Sequence, residues 1–492
     1  MRKIKINMSK EIRQLEPKAV WNKFADLNAV PRPSKKEERV IAFMLDFGKS
    51  LGFETFKDEV GNVIIRKPAT KGFEKRKMVT LQSHLDMVHQ KNNDTIFDFD
   101  TQGIEMVIAD DWVKAKGTTL GADNGMGVAT IMALLESTTI DHPALEALFT
   151  IDEETGMTGA MGLKGGVLKG AILLNLDTEE DDEIDIGCAG GIDVTAKRKY
   201  KERSTPMGTV SFELNVKGLT GGHSGMDIHK GLGNANKIMN RILFLGAGKY
   251  KLRISSINGG SLRNAIPRES VAVVSVKKGR VKDFEKDFEQ WSKTIKEELF
   301  VTEPTMVISL SEAKKPKSVM NFKTQSKLLK ALYTAHNGVY TMSAAIDDLV
   351  ETSNNVARVL VEDGKIHIGC LTRSSVNSSK LDLASALQSA FELADCKVTL
   401  SGDYPGWNPN PNSAILEVLK VQYKKVFKEE PKVVACHAGL ECGILGQNYP
   451  DLDMISYGPT IKGAHSPDER VSISSVQKFW KFTLDILKNI PE

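Results

Sequence analysis

Three times along this chain a short apolar run stops at groups able to carry charge or bind metal: MVTLQSHLD at 78–86, LEALFTIDEE at 145–154 and AILLNLD at 171–177. Each run has the length and apolar character of a buried strand. Between them, VIAFMLDFGKSLGF and NGMGVATIMALLEST carry helical periodicity, and FETFKDEVGNVIIRK reads as two short strands around a Val-Gly-Asn turn. Alternating strands and helices predict an α/β fold, a central sheet flanked by helices, with function gathered at the strand ends.

The 492 residues exceed one ordinary core and suggest two or three domains. After IDIGCAGG the chain turns basic and polar in VTAKRKYKERST, and SGDYPGWNPNPNS clusters proline, glycine and asparagine before another helix. These shifts predict a first domain part at 1–190, an inserted α+β domain at 191–401 and a return to the first domain at 402–492. Within the insert, 209–312 reads as strand, helix, strand, strand, helix, strand, and a partial second round follows to 401. Helices are expected at 229–247, 281–300 and 377–396.

A balance of 66 basic against 63 acidic residues gives a net charge of +3, so no strong field toward nucleic acid or a membrane surface is expected. The five cysteines, with no CxxC spacing, fit reduced thiols in a cytoplasm. The charged start MRKIKINMSKEIRQLEPKAV lacks an apolar signal core, and no run approaches a membrane span, which predicts a cytoplasmic chain.

Five segments carry candidate chemistry, and each has a plain structural reading beside the functional one. If the strand continues, His84 and Asp86 share a face, as a hydrogen-bonded pair or as a metal ligand with its carboxylate helper. In TTLGADNGMGVA, Asp123 suits a helix N-cap on a glycine-rich turn and equally a bridge between two cations. Asp152, Glu153 and Glu154 suit a solvated turn, or metal binding and proton transfer at a strand's end. Asp177 leads an acidic run whose later members, Glu179 to Glu183, are read as surface. His465 sits in a glycine- and proline-rich loop, where a single histidine is often incidental. Taken together, His84, Asp123, Glu154, Asp177 and His465 supply two imidazoles and three carboxylates, a set that suits two zinc-like ions bridged by an aspartate.

The motifs SHLD, GADNG, DEETG, LNLD, GGHSG and GAHSPDERV, in this order, resemble the dizinc dipeptidase, aminoacylase and carboxypeptidase superfamily. LQSHLDMVHQK, TIDEETGMTGAMGL and HAGLECG narrow the resemblance to the aminoacyl-histidine dipeptidases. It implies a mixed-sheet catalytic domain with the insert as lid. It also implies that His84 and Asp177 hold one ion, Glu154 and His465 the other, and that Asp123 bridges both. Asp86 would orient His84, and Glu153 would be the general base. In the insert, His223 would stabilise the oxyanion, Asn264 and Arg373 would bind substrate, and Gly439 would present backbone to it. His89, His229 and His437 receive no metal role.

The implied cofactor is a pair of divalent ions, zinc first, with manganese and cobalt as alternatives. The implied activity is hydrolysis of Xaa-His dipeptides such as beta-alanyl-histidine. The partner is a small dipeptide, with no nucleic acid and no membrane, and a homodimer stays open. Two other functions remain: deacylation of N-acyl amino acids with the same metals, and non-catalytic metal or peptide binding.

Overall fold

The structure, a computed structural model, describes residues 10–92, 94–344 and 346–492. It divides into two compact units. The first comprises the chain up to Gly187 with Pro409–Ala435 and Leu440–Glu492; the second comprises Cys188–Asn408 and Cys436–Gly439.

The first unit is built on an eight-stranded mixed sheet. Its order is Glu54–Lys57, Val63–Lys67, Leu145–Thr150, Val79–His84, Ile172–Asn175, Asp453–Ser456, Glu183–Cys188 and Lys432–Cys436. The middle of this sheet is parallel: Val79–His84 runs beside Leu145–Thr150 on one flank and Ile172–Asn175 on the other. All three strands are buried throughout. Leu81, Ala147, Leu148, Phe149 and Leu173 fill the core from these strands, as expected of parallel strands covered on both faces, while the polar residues buried with them, such as Gln82, Glu146 and Asn175, are hydrogen-bonded. Parallel pairing also delivers their C-terminal ends to one edge, which is where SHLD, DEE and LD lie.

The helix Ala122–Glu136 packs on the 79–84 strand. Its approach requires glycine at 127, where a Cβ would stand 2.4 Å from Ser83 Oγ and 2.8 Å from the Leu176 carbonyl. The expected pair of strands around the Val-Gly-Asn turn forms, as Glu54–Lys57 against Val63–Lys67.

The second unit carries a nine-stranded antiparallel sheet in which Thr209–Lys217, Ser270–Lys277, Arg253–Gly259, Val350–Glu362, Lys365–Ser374 and Gly190–Lys199 are consecutive neighbours. Alternate residues such as Ile192, Val194 and Ala196, or Ile366, Ile368 and Cys370, enter its core. The helices Ala235–Tyr250, Val281–Glu298, Phe322–Thr334 and Asn377–Glu392 bring Ile242, Phe284, Leu328 and Leu387 to the same core. The order strand, helix, strand, strand, helix, strand across 209–312 appears as read from the sequence. All five cysteines are free thiols, and among the described residues no helix is long and apolar enough to cross a membrane.

Candidate metal centre

Four strand ends and loops of the first unit converge on Asp123. Its Oδ1 lies 3.2 Å from His84 Nε2, and its Oδ2 lies 3.1 Å from His465 Nε2. On the His84 side, Asp177 Oδ1 is 3.6 Å from the same Nε2. On the other side, Glu154 Oε2 is 3.0 Å from His465 Nε2. Two triads result, His84–Asp123–Asp177 and Asp123–Glu154–His465, each with its donor atoms within 4.8 Å of one another. Glu153, next to Glu154, forms a further group with His84 and Glu154 within the same limit.

The ligand orientations are fixed from behind. His84 Nδ1 lies 3.1 Å from the Asp86 carbonyl and 3.4 Å from its carboxylate, so the Nδ1 hydrogen is committed to Asp86 and Nε2 is left toward Asp123. The Asp86 carboxylate itself accepts from Ser34 Oγ and from the backbone N–H groups of Glu153 and Glu154. One carboxylate thus ties the His84 strand to the Glu153–Glu154 turn.

Two residues that sequence reading did not single out hold the Asp123 loop. Glu469 accepts from four successive backbone N–H groups, Leu120 to Asp123, at 2.7–3.2 Å. Arg32, buried, donates to the carbonyls of Leu85, Asp86 and Gly121. Gly121 has φ 71, and a Cβ there would meet Arg32 Nη2 at 2.6 Å, so the turn requires glycine. Asp123 does not cap the helix: the N-cap position is Gly121, and the Asp123 carboxylate faces the imidazoles. Asn124 donates from Nδ2 to Asp177 Oδ1 and to the Leu176 carbonyl.

The electrostatics follow from this crowding. Burial opposes charge on Asp123, yet hydrogen bonds from His465 and His84 hold its carboxyl far below the usual range. Burial also opposes charge on His84, but Asp177, Asp123 and Asp86 outweigh it and raise the imidazole well above its ordinary value. Hydrogen bonds to Asp123 and Glu154 push His465 up to about 11. Without a cation, these carboxylates hold protons on the imidazoles in its place. Glu153 goes the other way: burial raises it well above an ordinary glutamate, with Asp177, Glu154 and Glu441 adding to the effect.

The donor set fits a pair of divalent cations. Imidazole and carboxylate are the ligand types such ions take, and Glu154 Oε1 is buried with no hydrogen-bond partner among the described residues. In the acidic run after Asp177, Glu180 and Asp182 have partly exposed side chains, in keeping with the sequence reading, and Glu179 is the departure. Glu179 is not a solvated surface group; burial, with Asp123 nearby, raises it to about 8. Asp181 and Asp182 pair with Lys478 and Lys432, and Glu180 with Lys462. Those lysines arrive from 250 or more residues away, so nothing local announces them.

Residues 80–489 match the profile of peptidase family M20/M25/M40. The chain belongs to that family. It is a hydrolase of the metallopeptidase class. The cytosol non-specific dipeptidase of Escherichia coli strain K12 is 44% identical over 481 residues, 98% of this chain and 99% of that protein. The crystal structure of aminoacylhistidine dipeptidase from Vibrio alginolyticus superposes with a TM-score of 0.90 at 43% identity, covering 98% of each chain. The aminopeptidase PepT from Bacillus cereus shares the fold at a TM-score of 0.57 and 16% identity, over 97% of this chain and 99% of its own. The M20/M25/M40 match thus spans every residue of both triads.

Within the second unit the candidate substrate residues form their own group. His223 Nδ1 accepts from the backbone N–H groups of Gly225 and Met226. Arg373, buried, donates from Nη1 to Tyr404 Oη, and its Nη2 is 3.4 Å from His223 Nε2. The Asn264 carbonyl accepts from Ser224 N, which couples its loop to that of His223, while the Asn264 residue itself is exposed. Asn355 fastens the same loop by donating to the carbonyls of Arg263 and Ala265. Gly439 lies two residues after His437, whose Nε2 is 2.8 Å from Ser353 Oγ.

Proposed function

We propose that this chain is a cytosolic dipeptidase that cleaves the amide bond of Xaa-His dipeptides, beta-alanyl-histidine among them, with a pair of divalent ions and Glu153 as general base. The observation that carries the reading is the pair of triads sharing Asp123, with one glutamate of the Glu153–Glu154 pair ion-paired to His465 and the other left outside both triads.

His84 and Asp177 would hold one ion, Glu154 and His465 the other, and Asp123 both. Such ions polarise a carbonyl and acidify water. Glu153 takes a proton from the attacking water through its carboxylate and returns it to the leaving amine nitrogen. A raised carboxyl suits that exchange, because it makes Glu153 a stronger base for taking the proton, while a carboxylic acid is still acidic enough to return it to an amine. Asp86 keeps the His84 proton on Nδ1, so that Nε2 presents a lone pair. His223 would stabilise the tetrahedral oxyanion, and the Arg373 guanidinium is shaped to take a carboxylate.

The names of the two relatives at 43–44% identity favour a dipeptide substrate, and they differ on breadth. The E. coli protein's name favours a second reading, a wide dipeptide range. A hydrolysis panel of Xaa-His, beta-alanyl-His and unrelated dipeptides, with acetyl-amino acids, separates the readings. Preferential release of histidine supports the narrow one, and even rates across the dipeptides support the broad one. Cleavage of acetyl-amino acids alone would overturn both. Glu153→Gln is expected to lower kcat by about 10²–10⁴-fold while the protein still binds metal.

A further inference from the structure

A row of polar residues crosses the centre of the first unit's sheet one step below the ligands. Gln82, Asn175, Ser456 and Asp185 are direct cross-strand neighbours on four adjacent strands. Gln82 lies two residues before His84, and Asn175 lies two before Asp177. The residues are buried and continuously bonded. Asn175 Nδ2 donates to Gln82 Oε1, Ser456 Oγ donates to Asn175 Oδ1, and Thr178 Oγ1 bridges Ser456 Oγ and Asp185 Oδ2.

The row ends at Glu441, fully buried, in the first turn of the helix Glu441–Asn448. One oxygen, Oε2, accepts from Gln82 Nε2 at 2.7 Å and from Thr150 Oγ1 at 2.5 Å, while Gln82 Nε2 also lies 3.1 Å from Thr150 Oγ1. Thr150 is the register partner of His84 and stands three residues before Glu153. Glu441 therefore closes a triangle between the strand that ends in His84 and the strand that leads to Glu153 and Glu154. Its other oxygen, Oε1, has no hydrogen-bond partner among the described residues.

Burying such a group is costly, and a well-packed apolar residue in its place is often neutral or stabilising. Stability alone does not account for an acid there. We propose that Glu441 is a positioning residue: by accepting from Gln82 and Thr150 together, it fixes the spacing between the His84 and Glu153–Glu154 strand ends. The inference rests on the metal-centre reading above. A displacement of about 1 Å at reacting groups is enough to cost about 100-fold in rate.

The test compares Glu441→Leu with Glu441→Gln in the full chain, loaded with Co²⁺ as a spectroscopic probe. Glu441→Leu is expected to fold with an undiminished melting temperature, to lose about 100-fold in kcat, and to hold KM within about twofold. Its Co²⁺ visible spectrum is expected to change. Glu441→Gln keeps an oxygen acceptor and is expected to restore the wild-type spectrum and most of kcat. If Glu441→Leu does not fold, Thr150→Val, which removes one of the two donors to Glu441 and leaves the Gln82–Asn175 bond in place, is read in the same way. Wild-type kcat and spectrum in the leucine variant would overturn the proposal, as would equal impairment of the two variants. A wild-type chain that binds no Co²⁺ and hydrolyses no dipeptide would instead sink the metal-centre reading on which this one rests.

Discussion

The two triads around Asp123 have similar chemistry and opposite settings. The His84 side chain is 1% exposed and that of His465 55% exposed, although each meets the same aspartate at about the same distance. His84 ends a buried strand and is tied through Asp86 to the Glu153–Glu154 turn. His465 stands in a loop with φ 63, and its site contacts are the carboxylates of Asp123 and Glu154. One half of the centre is built into the sheet. The other is brought to it by a loop, so the halves should differ in what their loss costs.

The largest effect is expected at the shared residue. Asp123→Ala should remove both ions and all turnover, read as metal content after dialysis; two tightly held ions would contradict the shared role. Next, His84→Ala leaves buried carboxylates without their cation and is expected to destabilise the metal-free protein by roughly 3–5 kcal/mol. His465→Ala should cost less, because the His465 side chain is about half exposed and water can reach the place it leaves beside Asp123 and Glu154. Equal melting shifts in the two variants would erase the distinction.

A third expectation concerns protons. His84 and His465 are both raised in the metal-free state, so both are protonated near neutral pH. Metal binding must displace those protons. Calorimetry in buffers of different ionisation enthalpy should show proton release on loading, with affinity falling as pH falls. Loading without proton release would mean that the imidazoles are not ligands.

A fourth expectation concerns the second unit. Burial, with Arg373 nearby, pushes His437 down to about 3, so the folded protein keeps it neutral while the unfolded chain protonates it near 6.5. The unfolded state then binds more protons below pH 6.5, and stability falls as pH drops from 6.5 toward 3, by up to about 1.4 kcal/mol per pH unit. His437→Gln should flatten that slope, as measured by denaturant unfolding at several pH values. An unchanged slope would locate the acid sensitivity elsewhere.

The contrast also explains what the sequence disclosed. His84, Glu154 and Asp177 were legible because parallel strands place their ends together, so an apolar run ending in a ligand marks its own site. His465 and Asp123 needed the ordered motifs, since a loop histidine or a turn aspartate has common structural uses. Arg32, Glu469 and Glu441 were not legible as supports, because their partners lie far along the chain: Glu441 meets Gln82 across 359 positions and Glu469 meets Leu120 across 349. Residues 436–439 belong to the second unit although both flanks belong to the first, and no shift in composition marks that excursion.

The most direct measurement is anomalous diffraction from crystals of the metal-loaded protein. The expected result is two peaks roughly 3.5–4 Å apart, one beside His84 and Asp177, the other beside Glu154 and His465, with Asp123 touching both. A single peak, or a pair whose ligands omit Asp123, would contradict the account.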